Sequence, residues 1–303
     1  METQKPTKQE RYTAASGYRL RATVVGTEIV AQSEPFDVQA GTGRALRFVR
    51  DANPATGEIA GRVWQSFAVE LVDEHGNRAP DTGTLRLEVA SVVSGEAGEL
   101  RGLNGSLDFV VAQGVAEISG LSYDRVAELM VRIKDVEGRF APLLFTVTVH
   151  PGNTEVFDIQ VEDLQPLIAG HAFAVTITVR DLFGNTKENY AGSIALQTPL
   201  NHAPGELDSN AREIELTVAD QGVTRVTGLI LTRATEQILR VTDLPALPAQ
   251  TGVTSSVVVQ VVADTAVRAV FANLPSTVRV DEPLVDSGQP LSVSLYDAYD
   301  NLA

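Results

Sequence analysis

Four histidines, His75, His150, His171 and His202, carry the widest chemical repertoire in this 303-residue chain. Imidazole ligates metals and exchanges protons near neutral pH. A zinc site needs three or four converging ligands, often a short step apart in sequence. Here the shortest interval is 21 residues, from His150 to His171, and the chain has no cysteine to complete a set. The histidines therefore read as isolated, solvated side chains. Serine nucleophiles find no Gly-x-Ser-x-Gly elbow, and most Ser and Thr residues fall on outward strand positions. Carboxylates gather at Asp158, Glu162 and Asp163, and at Asp281, Glu282 and Asp286. A hard cation wants six to eight oxygens in a shaped loop, and no EF-hand or Asp-x-Asp-x-Asp pattern supplies one. Acid–base catalysis would need a cleft that separates two carboxyl pKa values, which a solid sandwich does not offer. No catalytic, cofactor-binding or metal-binding residue is assigned. Structural calcium at those acidic clusters is the one cation chemistry left open, and the ligand-binding residues are unassigned. Trp64, the only tryptophan, falls by strand parity opposite Phe67, Val69 and Leu71. It reads as cover for a sheet edge or joint rather than a binding anchor.

Charge narrows the partners. Acidic residues number 39 against 24 basic, a net charge of −15, so the field repels nucleic acid and anionic membranes. No Gly-rich phosphate loop or basic patch interleaved with aromatics opposes that reading. No apolar run reaches the ~18 residues a spanning helix needs, so no membrane insertion is expected within the fragment. The segment from Met1 to Arg11 is polar and lacks the apolar core of a signal peptide. Absence of cysteine leaves the compartment open.

The elements that must position any site are strands. Val, Ile, Leu and Thr dominate a composition that is 44% hydrophobic, and β-branched residues suit a pleated, half-buried surface. Three segments share an alternating strand that ends in Asp and then turns: Phe67–Asn77, Val175–Asn185 and Leu291–Asn301. Asp73 and Asp181 lie 108 residues apart, and Asp181 and Asp297 lie 116 apart. An unrelated marker, Gln113-Gly114-Val115 with Gly120-Leu121, returns as Gln221-Gly222-Val223 with Gly228-Leu229, again at 108. Two independent markers at one offset establish a repeat.

Within a repeat, period-two patterning predicts one buried face per strand. Val175, Ile177 and Val179 point in, followed by Ile194 and Leu196; the earlier copy offers Leu85, Leu87 and Val89. Further strands are expected at Ser106–Val111, Val115–Ser119, Glu128–Lys134 and Leu143–Val149, making about seven per repeat, as in an immunoglobulin-like sandwich. In the Asp-x-x-Gly-Asn turn, the Asp carboxylate caps backbone N–H groups, Gly takes a positive φ, and Asn tolerates the left-handed region. The third copy has Asp300 where Gly76 and Gly184 stand. The turn aspartates Asp73, Asp181 and Asp297 are thus expected as backbone caps, not ligands.

The fold class is all-β: tandem immunoglobulin-like sandwiches arranged as a rod with short joints. Residues 1–16 form a polar N-terminal segment. Residues 17–41 carry two strands, Tyr18–Val24 and Glu34–Val38, of a preceding incomplete repeat. Residues 42–151 and 152–263 are complete domains, and 264–303 supply the opening strands of a further one.

The strand-Asp-x-x-Gly-Asn turn, the Gly-Val…Gly-Leu stretch, and Phe36-Asp37-Val38 or Phe145-Thr146-Val147 before a joint carry a family likeness. The chain resembles the bacterial immunoglobulin-like repeats related to filamin-type and invasin-type modules, across nearly everything after residue 16. Two departures stand out: Asp300 replaces the turn glycine, and Gln65 stands where Phe173 packs. The resemblance implies a non-catalytic stalk, spacer or display array in a larger bacterial surface or secreted protein. The implied location is extracellular or cell-surface, with signal and anchor outside the fragment. Its partners would be neighbouring repeats and a host or cell-surface protein or glycan. The alternative is an accessory spacer or carbohydrate-binding region of a large secreted enzyme; an aromatic content of 6% argues against a carbohydrate platform.

Overall fold

Apolar residues recurring at every second position, punctuated by Gly, Asn and Asp, are satisfied by short strands closing two sheets over a shared interior. The structure is a computed structural model that describes residues 13–200, 209–244, 252–281, 285–286 and 289–303. Among the described residues there is no α-helix, only 3-10 turns at Leu103–Gly105 and Val218–Asp220. The chain divides into two units, Met1–His150 and Pro151–Ala303.

The first unit opens with β1 (Ala15–Tyr18), β2 (Arg21–Thr23), β3 (Val30–Gln32) and β4 (Phe36–Val38). These pair as β1 with β4 and β2 with β3. The expected single strand Tyr18–Val24 is therefore broken at Arg19 and Leu20, where the Leu20 N–H turns to the Ser33 hydroxyl at 2.9 Å. The sandwich that follows contains β5 (Ala45–Phe48), β6 (Gly57–Ile59), β7 (Phe67–Val72), β8 (Gly83–Gly95) and β9 (Leu100–Arg101). It continues through β10 (Asp108–Val111), β11 (Val115–Ile118), β12 (Ser122–Tyr123), β13 (Ala127–Asp135) and β14 (Leu143–His150). One sheet runs β10-β8-β13-β14-β6 and the other β11-β7-β5, with β9 and β12 forming a separate ribbon.

The second unit holds β15 (Val156–Val161), β16 (Leu167–Ile168), β17 (Ala172–Arg180) and β18 (Gly192–Gln197), then β19 (Arg212–Leu216), β20 (Val223–Ile230), β21 (Glu236–Leu244) and β22 (Thr254–Val262). Its sheets run β15-β17-β20 and β16-β22-β21-β18-β19, the same topology as the two main sheets of the first, with no counterpart of the β9–β12 ribbon among the described residues. After them come β23 (Arg268–Ala272), β24 (Val285–Asp286), β25 (Gln289–Pro290) and β26 (Ser292–Tyr296), paired β23 with β26 and β24 with β25.

Each sandwich opposes a three-stranded sheet to a five-stranded one, the three-against-four arrangement of an immunoglobulin-like sandwich with one strand added. The strand beyond the expected seven is a short parallel edge strand, β6 against β14 and β16 against β22. Three and two residues are too few for alternation to register in sequence. Two separate apolar cores result. The first joins Phe67, Val69 and Leu71 of β7 to Leu129, Val131 and Ile133 of β13; the second joins Val175, Ile177 and Val179 of β17 to Ile194, Leu196 and Leu239. Each such side chain contributes roughly 1.5–3 kcal/mol through burial. Val89 is only partly buried, because the β8–β13 ladder shifts register between Met130 and Val131, and a bulge re-aims the side chains beyond it.

Candidate functional site

The most elaborate polar arrangement recurs at the three Asp-x-x-Gly-Asn turns. Asp73 follows β7, Asp181 follows β17 and Asp297 follows β26, and all three are buried. One carboxylate oxygen, Oδ1, accepts the N–H two residues on, from His75 at 2.9 Å, Phe183 at 2.9 Å and Tyr299 at 2.8 Å. It also accepts the N–H four residues on, from Asn77, Asn185 and Asn301, each at 2.9 Å. The other oxygen, Oδ2, reaches the segment leading into the same repeat: Gly41 N at 2.9 Å, Gly152 N at 2.9 Å and Asp264 N at 3.1 Å. Gly76 and Gly184 take φ of 80° and 79°, and Asp300 takes 64° in their place, so the residue at that corner is the one the turn constrains.

The asparagines do something other than expected. None of Asn77, Asn185 or Asn301 has a positive φ. Each instead aims its side-chain amide at the Asp carboxylate, with Nδ2 to Oδ2 at 3.0, 2.9 and 2.8 Å. The Asn77 amide is the main reason the Asp73 carboxyl lies well below its ordinary range, with the N–H groups of Gly41, Asn77 and His75 adding against the opposing effect of burial. At Asp297 burial pushes the carboxyl up, but the bonds from Asn301, Asp264 and Tyr299 together outweigh it and lower it. A carboxylate committed in this way is a structural node.

The other predicted residues are scattered over separate elements. His75 sits in a turn beside Glu74, His150 ends β14, and His171 faces Asp264 at 3.4 Å. His202 lies outside the described residues. The acidic cluster at Asp158, Glu162 and Asp163 is divided among partners. Asp158 pairs with Arg180 at 3.0 Å, Glu162 with Arg225 at 2.6 Å, and Asp163 accepts the Ala174 N–H at 3.0 Å. In the second cluster Glu282 and the side chain of Asp286 lie outside the described residues.

Trp64 corrects the parity argument. It is 5% exposed and belongs to the first core. Residues 63–66 precede β7 and are not strand, so alternation cannot be extended back through them. The Trp64 N–H donates to Leu121 O at 2.7 Å, while Phe173 pairs with Leu229, the counterpart of Leu121. Trp64, not the exposed Gln65, therefore occupies the Phe173 place, one residue out of the constant offset. Among the described residues its indole Nε1 has no hydrogen-bond partner.

Three polar features escaped the sequence reading. Glu70, for which the sequence offered no role, is buried beneath two arginines, Arg47 at 2.7 Å and Arg78 at 2.9 Å. Burial alone would raise its carboxyl, but the two guanidinium groups hold it below the usual range. Asp135 bonds the backbone and side chain of Arg139 at 2.8–3.0 Å, in a turn with Gly138 at φ 71°. The spacing Asp135-x-x-Gly138 is the same signal as in the three turns, without the asparagine. Tyr190 donates its hydroxyl to Asp243 at 2.7 Å; burial, then the neighbouring carboxylate, push its ionisation up.

Two surface clefts accompany these features. One of about 200 Å³ is lined by Gln39, Thr42, Arg44 and Asp73, and one of about 520 Å³ by Leu164, Pro166, Ile168, His171 and Phe173. Among the described residues no helix is long and apolar enough to cross a membrane.

No family model and no curated protein matches the chain. Solved structures similar to it include domains 4–9 of the surface layer protein SbsC, at 15% identity and a TM-score of 0.28, over 82% of this chain and 35% of that one. Another is a β-glycosidase from Bacteroides vulgatus, at 8% identity and 0.26, over 73% and 25%. A third is the FN1–FN3 portion of chicken CNTN1, at 11% and 0.26, over 80% and 74%. The chain thus spans about a third of the length of the surface layer structure.

Proposed function

We propose that this chain is a non-catalytic array of immunoglobulin-like modules, serving as stalk, spacer or display element of a larger surface or secreted protein. The observation that carries this reading is that the conspicuous buried carboxylates, Glu70, Asp73, Asp135, Asp181 and Asp297, are all spent on the fold itself, in turns and ion pairs. Catalysis needs the opposite: a poised acid or base facing a cleft with capacity to spare. Among the described residues each sandwich interior is filled by its own side chains. Partners would then meet loops or sheet faces, and a host or cell-surface protein or glycan fits that mode.

Incubating the chain with a panel of polysaccharides and aryl glycosides tests the reading. No release of reducing sugar or chromophore is expected, and turnover abolished by a single carboxylate substitution would overturn it. The acidic residues are expected to act without metal. Adding millimolar calcium should leave the melting temperature within about 2 °C, whereas a rise of ten degrees would mean several kcal/mol of linked binding and a calcium-stiffened array.

A further inference from the structure

We infer that the Asp-x-x-Gly-Asn turns at Asp73 and Asp297 are orienting joints, each tying its strand to the segment that precedes it within the same unit. The inference rests on the array reading and adds to it the part that sets geometry between modules.

The joint is described most fully at the third turn. Asp297 Oδ2 accepts the N–H of Asp264 at 3.1 Å, in the short segment between β22 and β23. Opposite it, Asn301 crosses to the preceding sandwich. Its Oδ1 accepts the Ala234 N–H at 2.8 Å and its Nδ2 donates to Thr232 O at 2.8 Å. The same amide bonds Asp297, so one side chain ties turn, connecting segment and neighbour together. Tyr299 adds contact. Its ring lies over Gly170, where a Cβ would sit 2.1 Å from Cε2. The receiving surface is itself braced, because Gly170 N–H donates to Leu231 O at 2.8 Å. The connecting segment is also met from the preceding sandwich, through His171 and Asp264 at 3.4 Å.

The same device recurs at the first turn. Asn77 Oδ1 accepts the Ala14 N–H at 3.0 Å, just ahead of β1, while Asp73 holds Gly41. At the third turn, bonding to two backbones from one amide removes the freedom that a short linker alone would leave. The connection is therefore a seat with fixed direction rather than a swivel.

The chain has no native cysteine, so Glu215→Cys on exposed β19 and Ser292→Cys on exposed β26 provide the only two sites for spin labels. Pulsed electron resonance on the labelled chain should give one narrow distance peak. Asn301→Ala should widen it at least twofold. Because that variant also weakens the turn, Tyr299→Ala is the companion: it keeps every bond to Asp297 and removes only the ring over Gly170, and it too should widen the peak. Unchanged width in both variants overturns the joint, as does a broad peak in the parent. A broad parental peak would leave the non-catalytic array standing, whereas glycoside turnover with a narrow peak would remove the array reading and leave the joint.

Discussion

At the residue scale, the recurring decision is what a buried carboxylate does with its lone pairs. Asp181 is 2% exposed and accepts from Phe183, Asn185 and Gly152. Replacing it with Ala strands several donors at once, and each unsatisfied buried group costs about 1–3 kcal/mol. Asp181→Ala should therefore destabilise the second sandwich by about 3–5 kcal/mol in urea unfolding. Asp181→Asn keeps the shape and one acceptor oxygen but turns an NH2 toward a donor, so an intermediate loss of about 1–3 kcal/mol is expected. A loss below about 1 kcal/mol in the Ala variant would show that the node is dispensable. The aspartate and glycine of this turn were legible in the sequence, because their backbone demands are local. The asparagine's role was not: its conformational tolerance is a property of the residue, but the carboxylate it would bond is a matter of the folded turn. Trp64 shows the same boundary, since parity holds only where the backbone is already a strand.

At the element scale, β7 was legible on its inner face, and the cover on its outer face was not. All six residues from Phe67 to Val72 are buried, because β7 lies between β5 and β11 and its neighbours lay arginines across it. Sequence alternation marks Glu70 as outward, which it is, but does not reveal that Arg47 and Arg78 cover it. The short edge strands β6 and β16 and the split of the first hairpin into β1–β4 and β2–β3 were missed for a related reason: pairing partners, not local pattern, define them. The covered glutamate yields a pH prediction. Its carboxyl is held below the ordinary range in the folded chain, and the unfolded value is about 4.3. The ionised form thus stabilises the fold fully above that value, and the contribution is lost as pH falls through the lower folded value. Glu70→Gln should cost the first sandwich about 0.5–1.5 kcal/mol at pH 7, discounted because both arginines stay half-exposed. The gap between parent and variant should close as pH falls through the folded value, below the ordinary carboxylate range. A gap that persists in acid would assign the effect to packing instead of charge.

At the scale of the whole molecule, the 108-residue offset was the strongest sequence signal, and it came from turns rather than cores. Turn residues are few and tightly constrained, whereas core positions accept apolar side chains of suitable volume; hence Trp64 and Phe173 fill one place with different side chains. What the offset implies energetically is that stability resides in separate interiors. Leu129 belongs to the first core and Ile177 to the second, and both are 0% exposed. Truncation of either to Ala should cost about 2–5 kcal/mol, combining lost transfer energy with the cavity left behind. If the interiors are thermodynamically distinct, calorimetry of the chain resolves two transitions. Leu129→Ala should lower one by about 10 °C or more and Ile177→Ala the other, with the unaffected transition holding within about 2 °C. The double variant should then show both shifts together, with no additional coupling. Joint movement of both transitions in either single variant would mean that the chain unfolds as one cooperative body, and the picture of independently stable modules would give way to a single folding unit.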